Sequence, residues 1–236
     1  SIGLILDLLE KYGARATFFF MGYWAKQKPG LVKKVMNCGH EIGCHGYYHH
    51  RVYEMGKVKF EEDLTMALSC LEELTGRKTN CYRAPEWSIR KCARWAFDIL
   101  AKRGIKYDSS IMPTIYLGDP KACPLPYSIK TKYGEITEVP PTVIDTPIGR
   151  LPVSGGLFLR AFPYSIIKNR FLYLNQNDRP AVIYVHPWEL IPDHPRLNPY
   201  SLRGFFHYTM LGKTKSRLDR LLSDFEFTGI EDYFEK

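Results

Sequence analysis

The sequence predicts an α/β fold: a distorted (β/α) barrel in which helices surround a parallel sheet. Helical and strand patterns alternate along the first half of the chain, which is typical of a parallel sheet with helices outside. Polar residues follow four of the predicted strands, and the carboxyl ends of barrel strands line active sites. The length of 236 residues fits one such barrel, so we expect a single catalytic domain over residues 1–236.

The first half of the chain carries two apolar patterns. One has apolar residues at the helical spacing of about 3.6 residues, and the other consists of short continuous apolar runs. Glycines follow three of the helical patterns and predict where those helices stop. The predicted elements are a helix over Ile2–Leu9 stopped by Gly13, a strand over Ala16–Met21 buried on both faces, a helix over Leu31–Met36 ended by Gly39, a strand over Glu41–Cys44, a helix over Phe60–Thr75 capped by Gly76, a strand over Asn80–Arg83, a helix over Ser88–Lys102 with Ser88 as N-cap, and a strand over Ile105–Asp108.

The second half is less regular. Pro, Gly and short strand patterns between Pro113 and Pro163 predict long loops and hairpins. A helix is predicted over Ser165–Leu174, an apolar strand over Ala181–Val185, and a final helix over Leu218–Phe227.

Composition argues against several classes of protein. The net charge is +8, but Lys and Arg are scattered, and the densest group, Lys26–Lys34, has apolar residues between its charges. No nucleic-acid reader motif accompanies this charge, so we expect no nucleic-acid partner. The sequence contains no run of about 20 apolar residues, the length that a membrane-spanning helix needs. The six cysteines form no C-x-x-C pair, and we expect reduced thiols in a cytoplasmic protein. The sequence does not set the oligomeric state.

The segment Gly43–His50 carries the strongest local sign of chemistry. His45 and His49 are four residues apart and can reach one metal ion if the turn between them is helical. Imidazole suits zinc, cobalt and nickel. A pair of surface histidines without a ligand is the alternative.

Three further residues follow predicted strands, and each has an ordinary alternative. Arg83 precedes Ala-Pro and can equally be a loop residue. Asp108 precedes two serines and can be a turn cap. His186 ends an apolar strand before Pro-Trp-Glu, where it can be a general acid or a satisfied core histidine.

Taken in order, these motifs resemble the polysaccharide deacetylase superfamily of carbohydrate esterases over nearly the whole chain. Ala16–Phe19 and Gly39–Gly43 resemble that family's first motifs. The remaining motifs resemble most closely the branch associated with exopolysaccharide and exosortase gene clusters: Arg83–Pro85, Tyr107–Ser110, Gly155–Gly156 and His186–Glu189.

The resemblance implies a role for each matching residue. His45 and His49 match metal ligands, for a divalent metal that is zinc, with cobalt or nickel possible. Arg83 matches the arginine that orients the catalytic carboxylate. Asp108 matches the aspartate that tunes the catalytic histidine, and His186 matches that histidine. Residues expected to shape the sugar pocket are Tyr47, Trp87, Trp188 and Glu189.

One departure from the family pattern concerns the start of the chain. The family carries an Asp-rich motif on its first strand, which supplies the general base and the third metal ligand. That motif would lie before Ser1, and Asp7 does not match it. We therefore expect an N-terminally incomplete catalytic domain without its first strand. Two alternatives stay open for this chain: weak metal binding and lack of activity.

The function implied is metal-dependent removal of N-acetyl groups from amino sugars of a polysaccharide or oligosaccharide, with release of acetate. One alternative is an amidohydrolase that acts on a small non-sugar amide, since the same chemistry serves both. The other is a glycan-binding relative without catalysis.

Overall fold

The structure is a computed structural model that describes residues 2–115, 117–198 and 200–236, with the side chain of Arg203 not described. Its helices and strands alternate as the sequence predicts. In chain order they are α1 (Ile2–Lys11), β1 (Thr17–Phe20), α2 (Gly22–Gln27), α3 (Pro29–Asn37), β2 (Glu41–Cys44), α4 (Val52–Thr75), β3 (Cys81–Tyr82), α5 (Ala96–Lys102), β4 (Tyr107–Asp108), β5 (Tyr127–Thr131), β6 (Gly134–Glu138), β7 (Val143–Thr146), β8 (Gly149–Pro152), α6 (Gly156–Ala161), α7 (Tyr164–Asn175), α8 (Leu202–Tyr208), α9 (Thr214–Asp224) and α10 (Ile230–Phe234).

The chain forms two compact units. The sheet unit comprises residues 15–140 and 228–236, and the helical unit comprises the residues up to 14 together with residues 141–227. Each is described by itself. The single domain expected over residues 1–236 stays a prediction.

The sheet unit contains a six-stranded sheet in the order β1-β2-β3-β4-β6-β5 among the described residues. All neighbouring pairs are parallel except β5 with β6, which form an antiparallel hairpin. Phe60, Leu64 and Leu71 of α4 are buried in its core together with Tyr82 of β3. A mostly parallel sheet with helices packed on it confirms the predicted α/β class and fits a distorted barrel.

The helical unit has its own core, which includes Leu159, Ile167, Phe171 and Leu221. α1 joins this unit through side chains at its end, because Lys11 Nζ and Tyr12 Oη donate to Asp219 Oδ1 of α9 at 2.8 and 3.0 Å. The hairpin β7–β8 lies in this unit.

Many of the predicted elements are present close to their predicted bounds. β2 coincides with its prediction, and α1, α3 and α7 lie within a few residues of theirs. Gly76 has the left-handed conformation (φ 68°) and its N–H donates to Glu72 O, as expected of a C-cap. The loops and hairpins predicted between residues 113 and 163 contain β5–β6 and β7–β8.

Three predictions about elements were wrong. The residues of β1 are half-buried instead of buried on both faces, and among the described residues β1 pairs with β2 alone. Ser88 is not the N-cap of the helix that follows it: its Oγ accepts from the N–H of Val52, the first residue of α4, and α5 begins at Ala96. Residues 181–185, all of them described, form no strand. Thr142 N donates to Val182 O, Val182 N donates to Thr142 Oγ1, and Tyr184 N donates to Ser154 O, but these bonds form no continuous ladder.

Among the described residues, every helix is too short or too polar to cross a bilayer.

Candidate functional site

The C-terminal edge of the parallel strands brings three predicted site residues into register. His45 N donates to Phe20 O at 2.8 Å, and Arg83 N donates to Cys44 O at 2.9 Å. Ser109, which follows Asp108, donates to Tyr82 O at 2.9 Å. Each residue therefore continues the ladder by one bond beyond its strand. The sheet accordingly presents His45, Arg83 and the Asp108 segment at one edge, as predicted for the sheet unit.

The turn from His45 to His49 is not helical, contrary to the condition set from the sequence. Two residues with left-handed backbone reverse the chain, Gly46 (φ 72°) and His49 (φ 62°). A Cβ at position 46 would also lie 3.0 Å from Asp63 Oδ2, so glycine is required there. The two imidazole rings nevertheless lie 5.1 Å apart between centroids and at 74° to each other.

His45 is held in one orientation by a backbone carbonyl. Its Nδ1 lies 2.6 Å from Arg83 O, and a carbonyl accepts only from a protonated nitrogen. Neutral His45 therefore carries its proton on Nδ1 and leaves Nε2 as the lone-pair atom, which is how metal-binding histidines are oriented.

The donor set fits part of a metal site. Two imidazoles in contact, one of them oriented, suit a divalent ion such as zinc. Among the described residues there is no group of three or more His, Cys, Asp or Glu side chains placed to hold a metal.

A residue that the sequence analysis did not single out holds the histidine turn. Asp63 of α4 is buried, and its carboxylate accepts from Tyr47 N at 2.7 Å and from Tyr48 N at 3.2 Å. The two bonds tie the middle of the turn to a core helix. An acidic residue on the apolar face of a helical pattern is the one sign of Asp63 in the sequence. Its hydrogen-bond partners are 15 and 16 residues away, so no local motif indicates its role.

Arg83 is fixed from two sides. Its Nε and Nη2 donate to Ser109 O at 3.2 Å and Ser109 Oγ at 2.7 Å. The guanidinium also lies 4.5 Å from the centroid of the Phe19 ring, a cation–π contact. The role predicted for Arg83, orienting a catalytic carboxylate, stays a prediction.

Asp108 is buried and has a carboxyl neighbour that the sequence analysis missed. It pairs across the sheet with Glu138 of β6. Asp108 accepts from Ser110 Oγ at 2.6 Å and Ser110 N at 3.1 Å. Burial raises the pKa of Asp108, and the hydrogen bonds from Ser110 offset part of that rise. Burial and the charge of Asp108 raise the pKa of Glu138 well above its ordinary value, so Glu138 is the member that keeps a proton.

The segment after Arg83 has an unusual backbone. Glu86 and Trp87 are consecutive non-glycine residues with positive φ, 53° and 47°. Such conformations cost free energy and persist where the surroundings hold them. Here Arg51 Nε and Nη2 donate to Glu86 Oε2 at 3.1 and 2.9 Å. The strained segment carries Trp87, which stays a predicted sugar-pocket residue.

Of the tyrosines in the histidine turn, Tyr48 is the more accessible. The Tyr47 ring packs against the core of the sheet unit, and a Cβ on Gly22 would come 2.5 Å from it. The Tyr48 ring is exposed and contacts the His50 ring at 5.9 Å. Tyr48 is therefore the more exposed ring, and the sugar-pocket role expected of Tyr47 stays a prediction.

In the helical unit, His186 begins a single 3₁₀ turn over Pro187–Leu190. Its side chain is 51% exposed, and Trp188 stacks on it at 5.7 Å between ring centroids. His186 Nδ1 lies 2.9 Å from Glu189 Oε1. The carboxylate that contacts His186 in this unit is thus Glu189, whereas the tuning role expected of Asp108 stays a prediction.

The sugar-pocket role expected of Glu189 does not agree with its position. Glu189 is 1% exposed, and Arg160 and His186 occupy its two carboxylate oxygens. A side chain engaged in this way cannot offer those oxygens to a sugar. Trp188, which is half-buried, stays a predicted pocket residue.

Two family models match the chain. The model described as Polysaccharide deacetylase matches residues 3–107, and the model described as Domain of unknown function (DUF3473) matches residues 109–235, more than half of the chain. The first covers the histidine turn and Arg83, and the second covers His186 and Glu189.

Curated relatives and solved structures agree with these models. A peptidoglycan deacetylase of Helicobacter pylori is 32% identical over 112 residues, which are 48% of this chain and 37% of that protein. A chitooligosaccharide deacetylase of Azorhizobium caulinodans is 32% identical over 89 residues, 36% of this chain and 42% of that protein. The chain thus spans less than half the length of these relatives.

The crystal structure of Puue allantoinase superposes with a TM-score of 0.66 at 18% identity, covering 99% of this chain and 70% of that one, which shows a shared fold. The family resemblance predicted from the sequence is therefore confirmed. The chain belongs to the polysaccharide deacetylase superfamily, and its residues 109–235 match the DUF3473 family.

Proposed function

We propose that this protein is a metal-dependent deacetylase that removes N-acetyl groups from the amino sugars of a polysaccharide or oligosaccharide and releases acetate. The observation that carries the proposal is the histidine turn at the C-terminal edge of the sheet. There Arg83 O fixes the tautomer of His45, and His49 contacts its ring. Family membership and the named activities of the deacetylase relatives support the same reaction.

In this proposal His45 and His49 hold the divalent metal through imidazole nitrogens. The metal would supply Lewis-acid polarisation of the acetyl carbonyl and would lower the pKa of water. Zinc is the ion we propose, with cobalt or nickel as substitutes, because two imidazoles suit all three.

The reaction breaks the bond between the acetyl carbon and the sugar nitrogen. The water oxygen forms a new bond to the acetyl carbon, which leaves as acetate, and the nitrogen takes a proton and leaves as an amine. His186 is the proposed proton donor to that nitrogen. Its exposed ring and fixed Nδ1 leave Nε2 as the atom that can reach a substrate.

An exposed aromatic ring supports a sugar as the substrate. The Tyr48 ring is exposed, and ring faces of this kind pack against sugar rings. We propose Trp87, Trp188 and Tyr47 as pocket residues, together with Tyr48.

Acetate release from N-acetylated chitooligosaccharides, compared with hydrolysis of small cyclic amides, tests this proposal. The deacetylase function predicts acetate from the oligosaccharides and no turnover of the amides. Turnover of the amides alone would make the protein an amidohydrolase on small substrates. Binding of the oligosaccharide without product would make it a glycan-binding relative.

A further inference from the structure

Glu189 forms a closed local arrangement with His186. Its Oε1 accepts from the backbone N–H of His186 at 3.1 Å and lies 2.9 Å from His186 Nδ1. The two residues are three apart at either end of one 3₁₀ turn. A single carboxylate oxygen therefore fixes both the backbone and the ring of the histidine.

The other carboxylate oxygen is fixed by a buried arginine. Arg160 of α6 is 0% exposed, and its Nη1 donates to Glu189 Oε2. Its remaining donors are also used: Nε donates to Thr209 O at 2.9 Å, and Nη2 donates to the carbonyls of Phe206 and His207, both at 3.0 Å. Arg160 thus ties the end of α8 to Glu189, and the Glu189 carboxylate cannot rotate away from His186.

The charges support an ionised Glu189. Burial by itself raises the pKa of Glu189, but the hydrogen bond from His186 and the charge of Arg160 outweigh burial and bring it below its ordinary value. An ionised carboxylate only accepts hydrogen bonds, so the nitrogen facing it must carry hydrogen. Neutral His186 is then the Nδ1–H form.

The other side-chain contacts that the structure describes for His186 are with aromatic rings. The Tyr184 ring meets the imidazole edge-on at 6.2 Å between centroids, and Trp188 stacks on its face. His194 and His207 contact Trp188, on which they pack at 5.3 and 5.4 Å.

We infer that Glu189 is a positioning residue for His186: it selects the Nδ1–H tautomer and directs Nε2 outward, while Arg160 holds Glu189 in place. This inference rests on the proposed function, in which His186 in its imidazolium form gives the Nε2 proton to the leaving amine and becomes the neutral Nδ1–H form. The role differs from the sugar contact expected for Glu189 from the sequence.

The test is ¹⁵N NMR of the histidine side chains in the whole protein, with His186→Ala to assign the His186 signals. The wild-type protein should show Nδ1–H and an unprotonated Nε2 for neutral His186. Glu189→Gln should lose this single tautomer, because an amide can either donate or accept. Glu189→Asp, which keeps the charge, should retain more of it than Glu189→Gln.

Activity supplies a second readout. Glu189→Gln should lower turnover on the order of 10²- to 10⁴-fold, the range for a misdirected general acid or base. In a His186→Ala background the same change should have almost no further effect, since Glu189 acts through His186. Because Glu189→Gln leaves the buried Arg160 charge unpaired, Arg160→Met with Glu189→Gln removes both charges and serves if the single variant does not fold.

A folded variant that keeps the Nδ1–H tautomer, or an effect of Glu189→Gln that is undiminished without His186, overturns the inference. The NMR result does not depend on substrate. A wild-type protein with the Nδ1–H tautomer that releases no acetate would therefore contradict the proposed function and leave the positioning of His186 intact.

Discussion

At the scale of single residues, the carbonyl of Arg83 decides how His45 can bind a metal. A histidine on a flexible turn can present either nitrogen, but the 2.6 Å contact with Nδ1 leaves Nε2 as the ligand atom. His49 has a left-handed backbone (φ 62°), which sets the direction of its side chain. The pair therefore depends on a bond that joins the ends of two strands.

Replacing His45 tests the proposed metal site. We expect His45→Ala to lose bound divalent metal and activity together, since one of two imidazoles is removed. Metal content by mass spectrometry, on protein purified with zinc, gives the measurement. His50→Ala is the matched control, because His50 is exposed and adjacent to His49 but is not a proposed ligand. Full metal content in His45→Ala would show that the ligand assignment is wrong.

Replacing His186 should have a different result. His186→Ala removes the proposed proton donor but no metal ligand, so metal content should stay at the wild-type level. Turnover should fall on the order of 10²- to 10⁴-fold, the contribution of a positioned acid. Steady-state kinetics together with metal analysis of the same sample check both parts. Loss of metal in this variant would place His186 among the ligands instead.

At the scale of elements, α4 supports the histidine turn through Asp63. Asp63→Ala leaves two backbone N–H groups, of Tyr47 and Tyr48, without their acceptor, which costs about 1–3 kcal/mol for a buried group. We expect a lower free energy of unfolding and weaker zinc binding, measured by denaturant unfolding and by metal titration. Glu62→Ala is the control from the same helix, since Glu62 is exposed. Unchanged zinc affinity in Asp63→Ala would contradict the supporting role.

The paired strands β4 and β6 place a protonated carboxyl in the core. The pKa of the Glu138 carboxyl is well above the ordinary 4.5. The protonated carboxyl therefore makes its full contribution to stability below pH 4.5, and this contribution is lost as pH rises through the folded-state pKa. Glu138→Gln cannot lose a proton. We therefore expect the melting temperature of the variant to rise relative to that of the wild type as pH increases from 4.5 into the alkaline range.

Scanning calorimetry across that range gives the comparison for Glu138→Gln. Glu135→Gln on the same strand is the matched control, because Glu135 is exposed and its replacement should shift both ends of the range equally. A difference between Glu138→Gln and wild type that does not change with pH would show that Glu138 does not titrate as described.

Elements with a repeating pattern were predictable, and elements set by distant partners were not. Helices such as α1 and α7 follow from apolar residues at helical spacing, and Gly76 marks the end of α4. Residues 181–185 are as apolar as a buried strand, but their hydrogen bonds go to Thr142 and Ser154 instead of a neighbouring strand. The apolar pattern of a sequence shows how apolar a segment is, whereas strand pairing depends on which backbone lies beside that segment in the fold.

At the scale of the whole molecule, the residues that carry chemistry were predictable, whereas the residues that support them were not. His45, His49, Arg83, Asp108 and His186 could be named from motifs. Asp63, Glu138 and Arg160 could not, because their partners lie 15 to 49 residues away in the chain. Such supporting side chains have no fixed spacing from the motifs, so only the structure shows them.

The account depends most directly on whether acetate release requires the metal. The measurement is acetate and free amine produced from N-acetylated chitooligosaccharide by the protein expressed from its complete gene, before chelation, after chelation and after zinc is restored. We expect equal amounts of acetate and amine, loss of both on chelation and recovery with zinc. Acetate release that is insensitive to chelation, or no release from the zinc-loaded protein, would contradict the account.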